Sequence, residues 1–252
     1  MNIKSALTFF KDLRPSNLTS PKYRFLLLAL YWPFFGLLFK AMEAWIPQIW
    51  KMTTGTDMIY HEVVCALDAY IPFCEYFTIP YYFWFAYMVG LGAYALFFEH
   101  HMFREFMWFV IITYSITAVV YLCWPNMQAL RPTEFPRDNI FTDVVKRLYG
   151  YDTNTNVCPS IHVLGSMAVC LPGLRSTTLR GKGWKIFFIV SNVLICASTV
   201  FLKQHSILDV FAALALTAVA YPIVFFLICP REKDGTPKGK ATKEEIPTVA
   251  KV

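Results

Sequence analysis

Two histidines at the edges of apolar runs carry the chemistry that this sequence offers. His162 closes the stretch Cys158-Pro159-Ser160-Ile161-His162. His205 lies inside Lys203-Gln204-His205-Ser206-Ile207-Leu208-Asp209. Each marks the point where a polar segment meets a long apolar one. The chain between them has the length of one membrane crossing and one return, so both imidazoles are expected on the same side of a bilayer. Asp209 follows His205 by four residues, which puts the two on one face if a helix begins at Ser206. A carboxylate accepting from one imidazole nitrogen fixes the tautomer and raises the basicity of the other nitrogen. His205 is therefore expected to act as a nucleophile toward phosphorus and to carry a phosphohistidine. His162, at a helix start signalled by Pro159-Ser160, is the expected general acid for the leaving oxygen. A helix beginning at Ser160 would offer N–H groups to phosphate oxygens, which makes Ser160 a candidate phosphate contact.

The elements that must hold these residues read as helices in a membrane. The 252 residues are 56% hydrophobic and 17% aromatic, with only 16% charged; soluble domains carry nearer a quarter charged residues. Apolar runs at 25–39, 79–98, 106–123, 160 onward, 184–202 and 207–229 predict an all-α, integral-membrane bundle of six transmembrane helices. The fourth run is short, interrupted by Pro172-Gly173. Between the first two runs, Tyr60, Val63, Val64, Leu67, Tyr70 and Ile71 follow helical spacing and predict an outer amphipathic helix. It would either pack on the bundle or form a lip over a lipid-binding cleft. Residues 1–23 read as an interfacial N-terminal segment, not a cleavable signal peptide. Residues 24–229 form the membrane domain, and 230–252 a charged tail expected to be disordered.

Charge sets the expected orientation. The net charge is +6. Cations gather before residue 25 and in the loop carrying Arg175, Arg180, Lys182 and Lys185, which would make both termini cytoplasmic. His162 and His205 would then face the outer side, with the plasma membrane the expected location. The basic excess suits anionic lipid, and no nucleic-acid partner is expected. The seven cysteines are scattered without metal-ligand spacing, so no metal and no cofactor is expected. Cys65, Cys74 and Cys158 read as outward-facing, which leaves a disulfide among them open. His61, His100 and His101 have no partner at fixed spacing on the same side and are read as structural.

These motifs resemble those of the type 2 phosphatidic acid phosphatase superfamily. Pro159-Ser160-Ile161-His162 is similar to its second signature, normally Pro-Ser-Gly-His. Ser198, His205 and Asp209 match the spacing of its third, and Arg131-Pro132 resembles the end of its first. The resemblance implies a third-signature nucleophile at His205, a second-signature acid at His162 and basic residues that hold phosphate. The sequence departs from the pattern at Trp124 (normally Lys), Ile161 (normally Gly) and Thr199 (normally Arg). Arg131 is then the expected bidentate phosphate clamp. Lys203, one helical turn beyond Thr199, would either substitute for the missing arginine or snorkel to the interface.

The expected activity is hydrolysis of a lipid phosphate or diphosphate ester. Fewer cations suit a less charged phosphate, so the alternative is a phosphotransferase of the kind that moves inositol or choline phosphate in sphingolipid synthesis. A third reading, from another class, is a non-catalytic membrane protein with a decayed site.

Overall fold

The apolar runs fold as helices, and the computed structural model describes residues 3–232. The tail expected from residue 230 lies, from 233 on, outside the described residues. In chain order the helices are α1 (Ile3–Phe10), α2 (Tyr31–Lys40), α3 (Ile46–Thr54), α4 (Thr78–Phe98), α5 (His100–Cys123), α6 (Ile140–Tyr151), α7 (Ile161–Leu174), α8 (Lys182–Phe201) and α9 (Ile207–Pro222). Two short strands, β1 (His61–Glu62) and β2 (Asn126–Met127), pair in parallel. The architecture is an all-α bundle in which five helices are long and apolar enough to cross a membrane: Arg24–Thr54, Glu75–Phe98, His100–Cys123, Lys182–Phe201 and Ile207–Ile228.

The sixth apolar helix, α7, has 14 residues. At 1.5 Å per residue it reaches about 21 Å, short of the roughly 30 Å of a hydrocarbon core. It lies at the centre of the bundle, packed against α4, α5, α8 and α9, with Val163, Leu164, Ala168 and Val169 fully buried. Small residues permit this enclosure. A Cβ on Gly165 would stand 2.7 Å from the Tyr114 hydroxyl and 2.8 Å from the Trp84 indole. One on Gly173 would stand 2.8 Å from the Phe188 ring.

Two expectations are corrected, and one helix was not foreseen. The first helix does not close at Lys40. It runs without a break from Arg24 to Thr54, through a π-turn at Ala41–Trp45. It stops at Gly55, whose φ of +74° provides the left-handed cap that glycine adopts without strain. The amphipathic helix expected over residues 60–71 does not form. The β-branched pair Val63-Val64 favours extended backbone, and the N–H groups of His61 and Val63 bond to Pro125 and Met127 carbonyls at 2.9 and 2.8 Å. Only a 3-10 turn, Ala66–Ala69, remains, with Asp68 closing it onto Cys65 N–H at 2.9 Å. Conversely, the polar stretch 124–159 contains the helix α6. Asn139 caps its start, accepting from Phe141 N–H at 2.9 Å and Thr142 N–H at 3.1 Å. The buried Glu75 carboxylate anchors that cap, taking Arg137 in a fork (2.6 and 2.8 Å) and Asn139 at 2.9 Å.

The end of the bundle remote from His162 is tied by a buried ionic network. Glu105 on α5 takes the Arg231 guanidinium through both oxygens, at 2.7 and 2.5 Å, and Arg175 at 3.3 Å. Glu99 accepts from Ser176, Thr177 and Thr178 just beyond α7. His100 stacks on Phe25 at 4.7 Å between centroids, and His101 leans on Glu105. His61 stacks on Trp124.

Removing one member of a buried ion pair leaves its partner uncompensated. Glu105→Ala is therefore expected to destabilise the folded protein by about 3–5 kcal/mol, seen as a lowered thermal midpoint of the purified protein in detergent.

Candidate active site

The polar segment that follows α5 holds both histidine-bearing stretches. Asn126 is fully buried. Its side-chain oxygen accepts from the N–H groups of Val157 and Cys158, both at 2.8 Å, and its amide donates to Cys158 O at 3.0 Å. The approach to His162 is fixed by these bonds. Two residues on, the Gln128 amide donates to the carbonyls of Lys203 and Gln204 at 2.9 and 3.2 Å, which fixes the approach to His205. The two helix starts then bond directly: Ser160 N–H donates to Asp209 O at 3.2 Å.

His205 is placed by the way α8 ends. Lys203 takes a left-handed backbone, φ +52°. Lys203 N–H bonds to Val200 O at 3.1 Å and Gln204 N–H to Thr199 O at 3.0 Å, a Schellman closure. His205 N–H also reaches Thr199 O at 3.0 Å. Ser206 then caps α9. Asp209 Oδ2 accepts from Ser206 N–H at 3.0 Å and faces His205 Nδ1 at 3.1 Å. Facing an ionised carboxylate, which can only accept, Nδ1 would hold the proton and Nε2 would keep its lone pair.

His162 comes to the same place from α7. Its ring centroid lies 5.7 Å from that of His205. Tyr81 and Trp84 of α4 flank it, at 4.6 and 4.7 Å. Its Nδ1 is buried with no hydrogen-bond partner among the described residues, so proton exchange falls to Nε2. The structure thus brings together His162, His205 and Asp209 as the sequence expects. It also sets an imidazole with a free Nε2 lone pair beside a second imidazole, the pairing that nucleophilic attack with proton transfer requires.

The three expected phosphate contacts are used otherwise. Arg131 donates to the carbonyls of Tyr149, Asp152 and Thr153 and to the Gln204 side chain, while stacking over Tyr149 at 4.6 Å. Only its Nε lacks a partner. It braces the end of α6 against Gln204, and burial holds its pKa below the ordinary guanidinium value. Lys203 does not share a helix face with Thr199, because α8 ends before it. Its ammonium donates to Asp68 O at 2.8 Å and Ile71 O at 2.5 Å. Ser160 is fully buried; its N–H goes to Asp209 O and its hydroxyl caps its own helix, facing Val163 N–H at 3.5 Å. The N–H groups of Ile161 and His162, in the first turn of α7, have no acceptor among the described residues. All seven cysteines are free thiols. Burial and the nearby Asp209 push the Cys158 thiol up to about 12, so it remains protonated.

Sequence reasoning missed several residues around the pair. Tyr81 and Trp84 lay within an aromatic-rich run and had no distinguishing mark; their i, i+3 spacing is the one available signal. Asp152, at the end of α6, accepts from Tyr81 at 3.1 Å and Gln204 at 3.4 Å. Burial raises its carboxyl above the ordinary value, against the pull of Tyr81, His205 and Arg131. Asp68 reaches the start of α9 from the far side. No protein-family model, curated protein or solved structure matches the chain.

Trp84 touches both His162 and the space beside Gly165. Gly165→Ala is expected to drive the new methyl into Trp84 and Tyr114 and to cost about 1–3 kcal/mol as overpacking. The check is a lowered thermal midpoint together with changed Trp84 fluorescence.

Proposed function

We propose that the protein is a membrane enzyme that cleaves a lipid phosphoester through a phosphohistidine. The observation that carries this reading is the facing of His162 and His205, with Asp209 on Nδ1 of the latter. In the first half-reaction, the His205 Nε2 lone pair forms a bond to phosphorus. The phosphorus–oxygen ester bond breaks, and His162 gives its proton to the departing oxygen. In the second, a hydroxyl attacks phosphorus, the nitrogen–phosphorus bond breaks, and His162 takes the hydroxyl proton back. With water as the acceptor and a lipid phosphate or diphosphate as the donor, the enzyme is a lipid phosphatase of the type 2 phosphatidic acid phosphatase kind.

One observation favours transfer to a lipid hydroxyl instead. Arg131 and Lys203 spend their donors on protein carbonyls and on Gln204, while Asp152 adds a carboxyl nearby. A dianionic monoester calls for more positive charge than these residues leave free. A phosphodiester, with a single negative charge, suits them better. The donor and acceptor would then be membrane lipids, as in inositol- and choline-phosphate transfer.

With α7 counted as a crossing, the bundle would have six spans. Both termini would then be cytoplasmic, as the cation distribution favours, and the histidines would face the outer side of the plasma membrane. The exposed apolar side chains along the long helices, among them Phe34, Val89 and Phe211, suit contact with lipid.

The test supplies purified protein with phosphatidic acid, a polyprenyl diphosphate and a phosphodiester lipid, each labelled at phosphorus. Acid-labile label on the wild-type protein, and its loss in His205→Ala, are the expected results. Release of free phosphate identifies hydrolysis; label moving to an added lipid alcohol without release identifies transfer. Wild type and His205→Ala behaving alike on every lipid would remove both enzymatic readings.

A further inference from the structure

Asp68 has no place in the chemistry just described, yet it accepts three hydrogen bonds, two of them from the start of the helix that carries Asp209. It lies in the loop between the first helix and α4 and is 2% exposed. Its Oδ1 accepts from Ile207 N–H at 2.8 Å. Its Oδ2 accepts from the Ser206 hydroxyl at 2.6 Å and from Cys65 N–H at 2.9 Å. The loop is held in place from below by Lys203, whose ammonium bonds to the Asp68 and Ile71 carbonyls.

The start of a helix presents N–H groups that draw in any nearby carboxylate. At α9 the native candidate is Asp209, at the third helical position, where a capping acid commonly turns back on the helix start. Asp209 is also the partner of His205 Nδ1. Asp209 Oδ2 meets both demands. Asp68 takes a further N–H of that turn, Ile207's, from outside the helix. It also receives the Ser206 hydroxyl proton. That hydroxyl is thereby turned so that its lone pair meets Leu208 N–H, at 3.1 Å, and its proton points away from Asp209. Asp209 Oδ2 is left with Ser206 N–H and His205, with the Cys158 thiol close to the carboxylate.

We propose that Asp68 is a positioning residue: by satisfying the first turn of α9 from another part of the chain, it keeps Asp209 committed to His205 and the imidazole in one tautomer. The proposal rests on His205 acting as the nucleophile. The ionisable groups around that imidazole are Asp209 on α9, His162 on α7, Asp152 after α6, and Lys203 and Asp68 on the near loops.

Two variants test it. Asp68→Asn removes the charge and one acceptor. Ser206→Ala removes the hydroxyl relay and leaves Asp68 intact. Protein labelled with nitrogen-15 histidine is purified in nanodiscs, the His205 signals being those missing from His205→Asn. Wild type is expected to show a single Nδ1–H tautomer for neutral His205, and each variant a mixture with Nε2–H. Turnover of the lipid substrate should fall by roughly tenfold to a hundredfold, as for displaced catalytic groups, while KM stays within about twofold. A folded variant that keeps the single tautomer and full kcat would overturn the proposal. If Asp68→Asn fails to fold, Ser206→Ala decides alone. Should wild-type protein turn over no lipid, the enzymatic reading fails, while the tautomer comparison still decides whether Asp68 positions His205.

Discussion

The bond from Ser160 N–H to Asp209 O joins the first turns of α7 and α9, which are separated in sequence by the whole of α8. Helix starts expose N–H groups that an apolar environment cannot satisfy. At this end of the bundle, protein satisfies many of them: Asn126 for the segment before α7, Ser206 with Asp68 for α9, and the Ser160–Asp209 contact between them, while the N–H groups of Ile161 and His162 have no acceptor among the described residues. His162 and His205 are neighbours because their helices share this requirement. The aromatic walls from α4 and the brace from Arg131 are built around a pairing that the backbone already dictates.

The same reasoning explains why so few cations are available there. Arg131, Lys203 and Arg137 all sit in or beside the polar loops at the histidine end of the bundle, and each donates to oxygen atoms of the fold itself. Loops without long regular elements carry many unpaired carbonyls, and a buried arginine or lysine is an efficient way to gather them. The remote end of the bundle uses the opposite arrangement, with carboxylates of Glu99 and Glu105 collecting hydroxyls and guanidinium groups.

The long apolar helices α4, α5, α8 and α9 were legible in the sequence, since length and hydropathy define them directly. So was the proximity of His162, His205 and Asp209, which follows from helix spacing and from counting crossings. What escaped depends on tertiary bonds between distant positions. The 60–71 segment has helical spacing, but its pairing with Asn126–Met127 and its closure by Asp68 decide its shape. α6 is only 12 residues long, and its start is set by Asn139 and the distant Glu75. The roles of Arg131 and Lys203 turn on which carbonyls lie within reach, and no local pattern encodes that.

The brevity of α7 bears on how a substrate would arrive. If Arg175, at one end of this helix, is set at the level of one layer of headgroups, His162 at the other end stops about 10 Å below the opposite layer, from a rise of 1.5 Å per residue against a 30 Å core. A phosphate group would have to descend into the bilayer to meet the imidazoles, or the membrane would have to dimple around the bundle. Local thinning of this kind costs only fractions of a kcal/mol per Å, so lipid thickness becomes a variable that acts on access to the histidines.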